Sequence, residues 1–296
     1  MMNTYFLTFS RKFNVGFFLC FILIPCTCVY SQSNGSLNLK EKKVVNANYS
    51  TNGVEYIEMF AYKSSFLGDN KMSILKIDPQ LFDFRLICTS QIGLTKNAIE
   101  WMDSLNLNIV FNAGMYNLSD NITNQFYLKN YDHINNSILS PSANGIIAFN
   151  PSFDTIPKFQ LFDLTMDKWE GIERSYKCIV QGLRMIDCNG NPVFWNNRAQ
   201  FCSMLVIAQD KSNNIYLIFS RSPYTQNQMI ENLVNLPFEL INAIYLEGGS
   251  RANFVFHSNE FSIQKVGSFV TGYNPNDRNQ IFFPFPNFIV LRKIGL

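Results

Sequence analysis

Two junctions in this chain constrain its fold more than any other feature. At each, a helix-like segment leads directly into a β-prone run that stops at a polar residue beside glycine. The first opens at Thr95, carries an apolar face of Leu94, Ala98, Trp101, Met102 and Leu105, and ends at Asn106 before Ile109-Val110-Phe111-Asn112-Ala113-Gly114. The second opens at Thr225, whose spacing to Gln228 fits a capping box, and buries Met229, Ile230, Leu233 and Leu236. Pro237 closes it, and Ala243-Ile244-Tyr245-Leu246-Glu247-Gly248-Gly249-Ser250 follows. Glycine after a strand permits a tight turn and close approach of a ligand to the backbone. Two such strand ends therefore predict one built site.

The rest of the chain is punctuated in the same way. Runs 54–62, 72–77 and 82–89 read as strands, separated by Asp69-Asn70 and Asp78-Pro79. Further strands are expected at 145–149, at 179–186 with 193–195 around Asn189-Gly190, and at 204–208 with 215–219 across 210–214. The apolar run 281–291 carries Pro284 and Pro286, which mark an edge or a bulge. Residues 117–142 are rich in Asn and Ser and read as a long loop over the site. These patterns predict an α+β fold of mainly antiparallel twisted sheets with a few packed helices in a single domain. They do not form a Rossmann alternation, and no phosphate loop is present.

Residues 1–31 have the layout of a secretory signal. Arg11 and Lys12 precede an uncharged apolar stretch over 13–29, and Val29 and Ser31 precede Gln32 in the cleavage positions. Removal would leave about 265 of the 296 residues, within the range of one large domain. We expect a signal peptide over 1–31, a flexible polar segment over 32–53, and the folded domain over 54–296. The expected location is periplasmic or extracellular, with no stable membrane span once the leader is gone. Cys26 and Cys28 leave lipid attachment as a minority alternative. Lys+Arg and Asp+Glu number 24 and 22; without a basic stripe there is no electrostatic support for nucleic-acid binding. Beyond the leader four cysteines remain, Cys88, Cys178, Cys188 and Cys202. In an exported protein they allow three full disulfide pairings, among which the sequence does not choose, with Cys178 and Cys188 as possible cross-strand neighbours; four buried thiols is the alternative slightly favoured. No spacing fits a zinc site, and no cofactor or metal is implied.

Glu247 is the best candidate acid, because a strand-end carboxylate beside two glycines is partly desolvated and suited to proton transfer or to stabilising an oxocarbenium ion. Asp120, Asp187 and Asp210 sit in turns, where solvated aspartate is the default. Arg184, in Gln181-Gly182-Leu183-Arg184-Met185, and Arg221, in Ser220-Arg221-Ser222-Pro223-Tyr224, are placed to hold a phosphate or carboxylate. Structural ion pairs are the competing explanation for both. Arg198 and Arg251 lie near other candidate elements.

Together with Asn144-Gly145-Ile146, these motifs in this order resemble the phosphodiester glycosidase family, from about Val54 to the C-terminus. The resemblance implies hydrolysis of a sugar 1-phosphodiester, with a small-molecule or glycan substrate carrying an anomeric phosphate. It implies catalytic roles for Glu247 and Asn112, and substrate or phosphate binding by Arg184, Arg221, Gly114, Gln181, Gly248, Gly249 and Ser250. Where many members have Asp-Gly-Gly, this chain has Glu247-Gly248-Gly249. An arginine that opens one family strand is absent near Cys202-Ser203. The competing expectations are a non-catalytic glycan-binding protein and a structural component of the cell envelope.

Overall fold

Alternation along the strands sets the architecture. In Cys202–Asp210, Leu205 and Ile207 point to one core while Met204, Val206 and Ala208 point to another. In Leu240–Gly248, Ile244 and Leu246 oppose Ala243 and Tyr245 in the same way. In Ile109–Asn112, Ile109 and Phe111 oppose Val110. Side chains with period two leave the two faces of a sheet alternately. Both faces of these central strands are buried, which is why they read as nearly continuous apolar runs.

The computed structural model describes residues 49–196, 200–271 and 274–295, all within one compact unit, Glu41–Leu296. The expected leader, most of the polar N-terminal segment and Arg198 lie outside the described residues. Two antiparallel sheets stack face to face, one of eleven strands and one of five. The middle of the larger sheet runs Lys71–Ile77, Ile215–Tyr224, Cys202–Asp210, Leu240–Gly248, Tyr176–Ile186. The smaller runs Ser262–Val266, Asn253–His257, Ile109–Asn112, Asn287–Lys293, Phe82–Cys88. Leu75, Leu205, Leu217 and Ile244 from the first meet Phe84, Phe111, Phe254 and Ile289 from the second in the central core.

Helices cover the outer faces. Gln226–Val234 seats Met229, Ile230 and Leu233 on the larger sheet, and Ala98–Leu105 seats Ala98, Trp101 and Met102 on the smaller. The Thr225–Gln228 capping box forms as expected. The other helix is capped by Asn97 rather than Thr95: Asn97 accepts the Glu100 N–H and the Glu100 side chain accepts the Asn97 N–H. Asn106 ends it in the left-handed region at φ 49°. Among the described residues no helix is long and apolar enough to cross a membrane.

Several expectations change. The 117–142 segment contains Leu128–Asn130 and His133–Asn136, which extend the larger sheet beside Tyr176–Ile186. Phe159–Asp163 and the helix Trp169–Ser175 occupy a stretch that shows no clear periodicity in sequence. Residues 193–195 are not a strand; the expected hairpin reduces to one bridge between Ile186 and Pro192. The C-terminal strand is confined to Asn287–Lys293, because the prolines interrupt the pairing before it. All four cysteines are free thiols. Cys178 lies opposite Asn130 and Phe149, not Cys188.

Candidate active site

The second strand end is bent by a β-bulge. Tyr245 pairs with Val206 and Glu247 with Leu205, so Leu246 is an extra residue in the ladder. A bulge re-aims the side chains that follow it. Gly248 has no room for a Cβ, which would strike the Tyr245 hydroxyl. Gly249 adopts φ 65°, a conformation that favours glycine. The turn Gly249–Arg251 then carries the chain into Asn253–His257 of the smaller sheet. Glu247 therefore lies at the crossover between the two sheets. Asn112 fixes the far side of that crossover, accepting the Asn253 N–H through Oδ1 at 2.7 Å.

Beyond Asn112 the first strand end reaches the same place. A cleft of about 580 Å³ is lined by residues 115–118 from the first strand end, 247–251 from the second, and 268–269 on a third wall. Within it the Glu247 Oε1 accepts the N–H of its neighbour Gly248 at 3.0 Å, and Oε2 is buried with no partner among the described residues. Burial pushes the Glu247 carboxyl up to about 8, although the Gly248 N–H and the Arg251 charge pull the other way. At neutral pH it is a carboxylic acid.

Arg251 is the cation of the cleft. Its guanidinium lies 5.4 Å from the Tyr116 ring centroid and 5.3 Å from that of Phe283. It donates to the Pro284 carbonyl at 3.4 Å and enters no ion pair among the described residues. Two ring faces hold the guanidinium in place while leaving its fork of N–H groups available for an anion.

Of the residues singled out in sequence, Glu247, Gly248, Gly249 and Ser250 line this cleft. Asn112 is fully buried and clamps the Asn253 backbone beside it. Gly114 has φ 120° at the turn that leads into the cleft wall. Gln181 is a buried staple: its Oε1 accepts the Tyr127 and Ser140 N–H groups, and its Nε2 donates to the Ser140 and Ala143 carbonyls. The two arginines are engaged elsewhere. Arg184 pairs with the buried carboxylate of Asp163 and donates to Thr165 at 2.8 Å. Arg221 donates to the carbonyls of Val266, Asp277 and Asn279 at 2.6, 2.7 and 2.8 Å, and its ion pair with Asp277 spans 3.0 Å. It thereby anchors the segment that supplies the third cleft wall. Asp120, Asp187 and Asp210 each accept backbone N–H groups of their own turns.

Sequence reasoning gave Tyr116 and Arg251 no role in the site. The available signal for Arg251 was its position directly after Glu247-Gly248-Gly249-Ser250.

The cleft wall also depends on Gly267, where a Cβ would overlap the Gly249 carbonyl. Gly267→Ala is expected to displace the Gly249 turn, at a cost of about 1–3 kcal/mol. Thermal melting and steady-state kinetics on the same preparation should both register the loss; an unchanged pair would show that the wall yields freely.

The fold and site define an α+β protein in which a buried acid and a guanidinium with no ion pair among the described residues share a cleft where the chain crosses from one stacked sheet to the other. The phosphodiester glycosidase family matches residues 106–292, and the chain belongs to that family. Among solved structures, the zebrafish N-acetylglucosamine-1-phosphodiester alpha-N-acetylglucosaminidase catalytic domain, auto-inhibited by its pro-peptide, superposes with a TM-score of 0.57 at 11% identity, covering 86% of this chain and 88% of that one. A hypothetical protein from Synechocystis superposes at 0.53 with 12% identity, covering 86% of this chain and 64% of that one. No curated protein matches the sequence.

Proposed function

We propose that this chain is an exported hydrolase that cleaves a sugar 1-phosphodiester between the anomeric carbon and the phosphate oxygen. The observation that carries the reading is the pairing in one cleft of Glu247, whose buried Oε2 has no partner among the described residues, and Arg251, which enters no ion pair among them. Family membership supplies the reaction class. The cleft also suits the substrate's charge. A phosphodiester carries one negative charge, which Arg251 would meet and a neutral Glu247 would not repel.

In the proposed step, Glu247 donates its proton to the bridging oxygen as the bond to the anomeric carbon breaks. The phosphate ester leaves with that proton. The carboxylate thus formed faces the developing positive charge of the sugar and stabilises it. Water adds to the anomeric carbon and returns a proton to Glu247. The sum is one water consumed, one free sugar and one phosphomonoester released. A single carboxyl group suffices because it gives and regains the same proton. Hydrolysis in ¹⁸O-labelled water tests the bond assignment. The label is expected in the sugar hydroxyl; label in the phosphate would make the protein a phosphodiesterase of another kind. Glycan binding with no turnover would favour a non-catalytic role.

Arg251→Ala is expected to raise KM for the phosphodiester about 10- to 100-fold, the worth of a charge-assisted hydrogen bond of about 1.5–3 kcal/mol. Arg251→Lys should recover part of this, because lysine keeps the charge without the fork. Equal KM values in all three proteins would remove Arg251 from the site.

Glu247 also predicts how stability depends on pH. Its carboxyl has an ordinary value of 4.5 and is raised to about 8 in the folded chain. Between these values the unfolded chain loses this proton while the folded chain keeps it, so stability falls as pH rises and levels off above about 8. The total is on the order of a few kcal/mol. Glu247→Gln removes this slope, so its stability advantage over wild type in urea melts should be larger at pH 9 than at pH 5. An advantage independent of pH would contradict the raised value.

Export is proposed from the layout of residues 1–31. It is checked by sequencing the N-terminus of protein recovered outside the cytoplasm, which should begin at Gln32.

A further inference from the structure

Arg251 and Tyr116 line a second cavity as well as the Glu247 cleft. This cavity, of about 410 Å³, is walled by Phe283, Pro284 and Pro286 on one side and the 120–122 turn on the other. Arg251 and Asp120 are its only charged side chains among the described residues. We propose that a substrate spans both cavities with its phosphate at Arg251, and that the second cavity selects against aglycones that carry a further negative charge. This inference rests on the reading under Proposed function and adds the charge class of the aglycone.

The argument is one of charge and position. The two cavities meet at a single guanidinium, so one negative charge is matched there. A second phosphate attached to the first would extend into a space with no other cation and with the Asp120 carboxylate in its wall. Asp120 is held firmly in place. Its Oδ1 accepts the Ile122 and Thr123 N–H groups at 2.9 and 3.0 Å, and its Oδ2 accepts the Thr123 hydroxyl at 2.5 Å. Those bonds keep it ionised well below neutral pH. The remaining wall is uncharged: Tyr116, Phe283 and the two prolines, with Thr95, Asn121 and Ile122 beside them, a surface that accepts an uncharged alcohol or a cationic group. The expected substrates are therefore diesters of a single phosphate with a neutral or cationic alcohol. Sugars linked through a diphosphate are disfavoured.

The test compares wild type with Asp120→Asn, which retains the Oδ1 bonds to the turn. The substrates are a sugar 1-(methyl phosphate) and the same sugar linked through a diphosphate to methanol. Wild type is expected to prefer the single phosphate. Asp120→Asn should narrow the preference about fivefold at low salt, the effect of one nearby charge in water, and less at high salt. In parallel, competition binding of inorganic pyrophosphate against inorganic phosphate is measured on both proteins, with the same shift expected. If the preference and the competition ratio are both unchanged in Asp120→Asn while Arg251→Ala weakens both anions, the charge rule is overturned and the hydrolase reading stands. If neither substrate is turned over by wild type, the hydrolase reading fails, and the competition ratio alone upholds or overturns the charge rule.

Discussion

Glu247→Gln is expected to lower kcat/KM for a sugar 1-phosphodiester by about 10²–10⁴-fold, the usual worth of a positioned general acid. Glutamine matches the neutral carboxyl in shape, can accept the Gly248 N–H, and has no acidic proton to give to a leaving oxygen. The loss should fall on kcat more than on KM, because Arg251 and the cleft walls remain. The fold should survive: Glu247 lies at the last paired positions of its strand, and among the described residues its side chain's only hydrogen bond is from its neighbour's N–H. Circular dichroism and melting would confirm an intact protein. Glu247→Asp is an informative companion, since it keeps a carboxyl group but withdraws it by a methylene. Recovery of less than a tenth of wild-type activity is expected, given how sharply proton transfer depends on placement. Full activity in Glu247→Gln would show that the acid is not used.

Arg221→Ala is expected to be the most destabilising change near the site. It leaves the carbonyls of Val266, Asp277 and Asn279 without their donor and the Asp277 carboxylate without its cation. Unmet groups of this kind cost about 1–3 kcal/mol each when buried; since this guanidinium is only half-buried, about 3 kcal/mol in all is a reasonable expectation. For a chain of this size that corresponds to a fall in Tm of roughly 10 °C. Activity should fall with it, because the anchored segment carries residues 268–269 of the cleft wall. Arg221→Lys should rescue little, since one ammonium does not span three carbonyls. A Tm within about a degree of wild type would show that the segment is held by other contacts.

These two arginine and glutamate positions show what was legible in the sequence and what was not. The meeting of two polar strand ends could be read because each is a local pattern: apolar run, polar stop, glycine. The Thr225 cap was legible for the same reason. The first helix cap was misplaced because Thr95 and Asn97 are both good caps; Asn97 with Glu100 at capping-box spacing decides between them. Partners distant in sequence were not legible. Arg184 finds Asp163 across 21 residues and Arg221 reaches the Asp277 carbonyl across 56, and no local pattern marks either. An arginine beside glycine in a strand reads equally as an anion site or as half of an ion pair. The bulge at Leu246 was hidden because an extra apolar residue leaves the run apolar. Arg251 was legible only by adjacency, since its value lies in the two rings that hold it, one from the first strand end and one from near the C-terminus.

The central claim is that Glu247 works as an acid held neutral by burial. The pH dependence of kcat/KM for a sugar 1-phosphodiester tests it most directly, because that quantity reports the free enzyme. A group that must be protonated to act, with its value at about 8, predicts activity that is flat at neutral pH, halves near 8 and falls tenfold per unit above it. The limb should be absent from the residual activity of Glu247→Gln. A profile that instead rises with pH through this range, or a falling limb retained in Glu247→Gln, would contradict the account.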